Sequence, residues 1–242
     1  MASPSIKNVH FVGSICLPDT STIFRTFNTT LPTQLKRIPD GEPGNRGNFV
    51  HWQRSVFYRY PYLVRSLYFS LAKDLGPIPI SPEKIQLMPS GYDGAAINSY
   101  ATFCRLRDDA TIPMGVKFQV SLPTPINVLH VSIEPAFQEA LEPVYTKAFL
   151  KTVRHIQEEI PTEDLAIQWD VAVEFAFLEG IVSPPPHVST VDCLFHAPSS
   201  AGSVGANHLP FRPTGQVLTQ CSSGSWPCKT VSSIAFFNWR ML

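Results

Sequence analysis

Short apolar runs set far apart in the chain constrain its fold more than any other feature. "NVHFVGSICL" (8–17), "EKIQLMPSG" (83–91), "MGVKFQVSLPTPINVL" (114–129) and "LAIQWDVAVEF" (165–175) each read as a strand. Connections of about 20 residues or more separate them, which is too long for hairpins. Several connections have helical apolar spacing. "DTSTIFRTFNTTL" has Asp19 or Thr20 as a cap, and "YATFCRLRDDA" reads as a second helix. "FQEALEPVYTKAFLKTVRHIQEEI" is a third, in which Pro143 predicts a kink or break. "HWQRSVFYRYPYLVRSLYFSLAKDL" is aromatic and partly helical in period, and Pro61 interrupts it. "LKRIPDGEPGNRGNFVHWQ", with Pro39, Gly41, Pro43, Gly44 and Gly47, is the densest loop signal. Alternating strand and helix predict an α/β architecture with a parallel sheet.

The run Leu165–Phe175 poses the sharpest chemical question. Ile167, Trp169, Val171, Val173 and Phe175 share one side of a period-two pattern, and Gln168, Asp170, Ala172 and Glu174 share the other. A core strand with acids on one face needs a polar environment for that face. If the strand stays extended, Asp170 and Glu174 are about 13 Å apart and share no proton.

Composition narrows the function classes. The chain has 242 residues, 44% of them hydrophobic, enough for a sizeable core. Nineteen basic residues balance nineteen acidic ones, which argues against a nucleic-acid or polyanion binder. No apolar run reaches the roughly 18 residues that span a bilayer, and the N-terminus lacks a signal-peptide pattern. The expectation is a soluble, cytoplasmic protein with no membrane and no nucleic-acid partner. Five scattered cysteines do not form a disulfide framework, and Cys16 and Cys104, among apolar neighbours, read as buried thiols. Past Gly180 the chain turns rich in Ser, Pro and Gly, without a helix that has a convincing apolar face. This divides it into a structured unit over 1–180 and an irregular tail over 181–242. No Gly-x-Ser-x-Gly elbow is present, which excludes a hydrolase of that kind.

"VHFVGSICLPD", "RIPDGEPGNRGNFVHWQ", "SYATFCRLR", "GVKFQVSLPTP" and "LAIQWDVAVEF", in that order, resemble the uroporphyrinogen decarboxylase/cobalamin-independent methionine synthase-like superfamily. The resemblance covers roughly three quarters of the chain, residues 6–180. It implies a (β/α)8 TIM-barrel-like fold with its site at the C-terminal strand ends. About five βα units would be present, followed by the irregular tail, so the barrel would be incomplete and its unclosed edges open to self-association. The implied activity is methyl transfer, or decarboxylation or lyase-type chemistry, on a small polar or carboxylate-bearing metabolite, including in secondary metabolism.

In that frame Asp170 matches the aspartate of a Gln-x-Asp strand that holds the substrate amino group, although Val171-Ala172 follow it where the family has Glu-Pro. Asp170 is the candidate catalytic residue. Gly13 and Ser14 match a Gly-Ser turn that helps hold a substrate carboxylate. Asp40, Glu42 and Arg46 would rim the mouth, or Arg46 would pair internally with one of the acids. Gln119, Ser121 and Gln168 would point inward from their strands. Zinc is the cofactor of the zinc-dependent relatives, yet the family's His-x-Cys pair does not occur. Cys193, His196, His208, Cys221 and Cys228 have no recognisable zinc-module spacing, so no metal ligand is assigned and the cofactor stays open. The alternative reading is a catalytically inactive remnant, or a binding or scaffold protein lacking the zinc site.

Overall fold

A computed structural model describes residues 8–65 and 81–188, and its elements follow the apolar rhythm of the sequence. Helix α1 (Thr20–Thr30) starts where the Asp19 carboxylate accepts from Thr22 N at 2.8 Å, satisfying a first-turn N–H that has no helical partner. Strand β1 (Arg37–Pro39) leads through a tight loop into the short helix α2 (Phe49–Gln53). Helix α3 (Tyr92–Asp108), strand β2 (Lys117–Pro123) and helices α4 (Pro125–Ser132) and α5 (Pro135–Glu159) follow. Strand β3 (Leu165–Asp170) and the short helix α6 (Val173–Leu178) come last.

The three strands form one parallel sheet in the order β1-β2-β3, with Pro39 opposite Gln119 and Pro123 opposite Asp170. Their C-terminal ends therefore lie side by side. Ile38, Phe118, Val120 and Leu122 turn to the helix-covered face and are buried. There Phe118 meets Phe24 of α1 and Phe103 of α3 near edge-on and tilted, at 6.2 and 5.7 Å between ring centroids, while Trp169 of β3 lies 6.2 Å from Phe149 of α5. The buried stripe Leu141, Tyr145, Phe149, Val153 and Ile156 of α5 has the spacing that lays a helix along a sheet.

Five expectations need correction. Residues 8–17 contribute only an isolated parallel bridge, Val9 to Leu35, rather than a full strand. The chain then leaves the ladder, because the Phe11 and Val12 carbonyls are taken by side chains of β2 and β3. Ile15 and Leu17 pack on the core while Cys16, between them, is exposed, and Cys104 is partly exposed. Residues 85–88 form no strand. Instead the Gln86 N–H donates to the Tyr60 hydroxyl at 2.9 Å, and its side chain accepts from Arg59 at 3.1 Å. Helix α5 runs through Pro143 unbroken, since Pro143 and Glu139, whose carbonyl it frees, are both on the exposed face.

The fifth correction concerns Leu165–Phe175. The strand stops at Asp170 and the chain turns into α6, with Val173 N donating to Asn127 Oδ1 at 2.9 Å and Asn127 Nδ2 to the Asp170 carbonyl at 2.6 Å. The period-two pattern past Asp170 is thus accidental, and Val173 and Phe177 have helical spacing. Among the described residues β3 ends the sheet, and no helix is long and apolar enough to cross a membrane. Residues 189–242, nearly all of the expected tail, lie outside the described residues.

Gly41 ties this fold to the loop beyond β1. Its φ is +77°, and a Cβ there would come within 2.5 Å of Ile23 Cδ1. Gly41→Ala is expected to cost about 2 kcal/mol or more, from left-handed backbone strain plus overpacking against α1. Urea denaturation checks it.

Candidate functional site

Strand alternation places Gln119 and Ser121 of β2 and Gln168 and Asp170 of β3 on the face opposite Phe118 and Trp169. Among the described residues no helix hydrogen-bonds the amides of this polar side. The N-terminal segment crosses it instead, and its carbonyls take the donors. Gln119 Nε2 reaches Phe11 O at 2.9 Å and Gln168 Oε1 at 3.1 Å. Ser121 Oγ reaches Val12 O at 3.4 Å, and Gln168 Nε2 donates to the same carbonyl and to Asp170 Oδ1, the latter at 2.7 Å. Gln119, Ser121 and Gln168 are buried, so in this arrangement they fasten the segment to the sheet and orient Asp170.

The loop after β1 supplies the second acid. Gly41 and Glu42 both adopt positive φ, and Glu42 N donates to Asp40 Oδ1 at 3.0 Å, a turn fixed by its own aspartate. Asp40 also accepts from Ser99 Oγ of α3 at 2.7 Å and pairs with Arg46 at 2.8 Å. Arg46 therefore has its internal partner in Asp40. Glu42 is folded inward, with its Oε2 accepting from Ser14 Oγ at 3.0 Å and 3.4 Å from where a Cβ on Gly13 would sit. Gly13 and Ser14 thus hold the glutamate, and Gly13 is buried while Ser14 is exposed at the opening.

Burial and proximity displace both acids from the ordinary carboxylate range. Desolvation is the main cause for Glu42, pushed up to about 7, with repulsion from Asp40 adding and the Ser14 hydrogen bond and Arg46 opposing. Asp170 is pushed up to about 8, again mainly by desolvation, with the Gln168 hydrogen bond opposing and Glu42 repelling. The two carboxyls belong to one electrostatic unit, and desolvation favours the protonated form of each more than in an ordinary carboxyl. Such groups can donate a hydrogen bond or a proton to an oxyanion, which ionised carboxylates cannot do.

Three polar residues near these strand ends lie beyond the nine candidates. Glu174 is buried on α6 and accepts from Thr124 at the start of α4, with its other oxygen unpartnered; burial raises its pKa. Asn127 clamps the β3–α6 turn. Tyr92 opens the buried stripe Tyr92, Ala96, Ser99, Phe103 and Leu106 of α3, a spacing readable in the sequence as one helical face.

Two clefts among the described residues lie elsewhere. One of about 330 Å³ runs between α5 and residues 87–90, and one of about 460 Å³ separates α1 from α3. Neither contains Glu42 or Asp170, and neither offers a pair of acids. The zinc implied by the resemblance does not fit the described residues, where no three His, Cys, Asp or Glu side chains converge as a metal site. Cys193, His196, His208, Cys221 and Cys228 lie outside the described residues.

Both raised carboxyls make stability fall as pH rises. Between about pH 4 and pH 8 the folded chain holds protons that the unfolded chain has lost, so unfolding becomes easier through that window. Glu42→Gln and Asp170→Asn should each recover on the order of 2 kcal/mol, relative to wild type, between pH ~5 and pH ~8.5. Denaturant titrations at the two pH values measure this.

In comparison with known proteins, no family model, no curated protein and no solved structure matches the chain.

Proposed function

We propose that the chain is a (β/α)8-barrel-type member of the uroporphyrinogen decarboxylase/cobalamin-independent methionine synthase-like superfamily that acts on a small, polar, carboxylate-bearing metabolite. The observation that carries this reading is the pair of acids, Glu42 and Asp170, brought together at the C-terminal ends of parallel strands, where desolvation raises the pKa of each. Parallel α/β proteins build ligand sites at that end, where the loops are free to vary while the sheet is held rigid.

Decarboxylation or a related lyase step suits these groups better than methyl transfer to a thiol. Losing carbon dioxide leaves an electron pair on carbon, and a proton delivered there completes the exchange of a carboxylate for hydrogen. Asp170, held by Gln168 and raised to about 8, is a proton donor matched to neutral pH. Glu42, held by Ser14 and raised to about 7, can hydrogen-bond the substrate carboxylate. Methyl transfer of the zinc-dependent kind would require thiol-activating ligands that the described residues do not offer.

A thermal-shift screen of the whole chain at neutral pH tests the reading, using small amino, hydroxy, keto and aromatic carboxylic acids. At least one acid is expected to raise the melting temperature of wild type and not of Asp170→Asn. That acid should then release carbon dioxide at a rate that Asp170→Asn lowers about 100-fold or more. If no acid stabilises the protein, or Asp170→Asn retains full turnover, the catalytically inactive reading takes its place.

A further inference from the structure

The cleft between α5 and residues 87–90 has the make-up of a small-molecule site, and the chemistry of the acid pair does not use it. Its volume is about 330 Å³, near the lower end of the ~300–1,000 Å³ that such sites occupy. Val56, Leu87, Val144, Tyr145 and Phe149 give it an apolar floor. Tyr145 and Phe149 are buried and stack at 5.7 Å between ring centroids, and the Tyr145 hydroxyl donates to Gln53 at 3.1 Å. That wall is therefore fixed.

The remaining polar side chains that line the cleft are two lysines and two hydroxyls, with no acid among them. Lys147 and Lys151 are exposed on α5 and make no hydrogen bond or ion pair among the described residues. The positions three and four residues away, where a helix places partners, hold no acid: Pro143, Val144, Ala148 and Leu150, then Arg154 and His155. Lys147 and Lys151 are themselves one turn apart and repel each other. Balanced charge along the chain as a whole thus leaves a local cationic rim here.

Ser90 and Thr152 come from opposite walls and share one hydrogen bond at 3.1 Å. Gln53 fixes Ser90 from behind by donating to its carbonyl at 3.0 Å. Two hydroxyls carry two hydrogens, and the bond between them spends one. The other O–H has no acceptor among the described residues. An anion on an apolar body complements this combination. A neutral apolar ligand would leave the lysines unpaired, and a bare inorganic anion would leave the apolar floor in water.

We propose that this cleft binds a small apolar carboxylate, built on one ring or a short branched chain. Its body lies on Tyr145 and Phe149, and its carboxylate meets Lys147, Lys151 and the free O–H of the Ser90–Thr152 pair. Binding is reversible, and no covalent bond forms or breaks. The site is separate from Glu42 and Asp170 and does not depend on the reaction proposed there.

Calorimetric titration of the whole chain with 3-phenylpropanoate tests it. Wild type and Asp170→Asn should bind the acid with the same affinity, and binding should weaken as salt is raised. 3-Phenylpropanol, the same body without the charge, should bind about tenfold more weakly or worse. Lys147→Gln combined with Lys151→Gln changes only exposed side chains and should weaken the acid by a similar factor. Nuclear Overhauser contacts from the probe ring to the Met88 and Val144 methyls, both in the cleft lining, locate the ligand without any variant. No binding at millimolar acid, equal binding of the alcohol, or an unchanged affinity in the double variant would each overturn the inference. Binding lost in Asp170→Asn would move the ligand to the acid pair and overturn it as well. Failure of the proposed reaction at Asp170 leaves these expectations as they stand.

Discussion

A parallel sheet has two faces, and each must be covered by something that satisfies what the strands present there. Helices α1, α3 and α5 cover one face of β1-β2-β3 through Phe24, Phe103, Phe149 and their neighbours. The other face presents amides, a hydroxyl and an acid. Backbone carbonyls of Phe11 and Val12 meet Gln119, Ser121 and Gln168, so the polar layer is closed by hydrogen bonds where an apolar layer would be closed by packing. Asp170, at the strand end, accepts from Gln168.

The site follows from that arrangement. Closing the N-terminal segment over the sheet brings Gly13 and Ser14 to the strand ends, where they meet Glu42 as it leaves β1. Two acids are then desolvated in one place, and Arg46, bound to Asp40, offsets the burial of Glu42 only in part. The consequence is a raised pKa, the usual response of a carboxyl that burial leaves uncompensated. Glu174 shows the same response to burial separately on α6, beside Thr124.

Much of this was legible in the residues themselves. Long connections between apolar runs require parallel pairing, and Gln168 and Asp170 required a polar surrounding for one face of their strand. The residues of "GS", "DGEPGNR", "QVS" and "QWD" come together at one end of the sheet. What was not legible depends on tertiary partners. β1 has only three residues and sits inside a loop signal, so nothing local marks it. The turn after Asp170 is set by Asn127, far away in sequence, while the local alternation Val171–Phe175 suggests continued strand.

The central claim is that the desolvated carboxyls at the strand ends hold protons at neutral pH. Infrared spectroscopy of the carbonyl stretch reports this directly, because a protonated carboxyl and a carboxylate absorb in separate regions. The account predicts a protonated-carboxyl band in wild type at neutral pH, diminished in both Asp170→Asn and Glu42→Gln, with Asp170 contributing the larger share. A wild-type spectrum in which every side-chain carboxyl absorbs as carboxylate at neutral pH would contradict it.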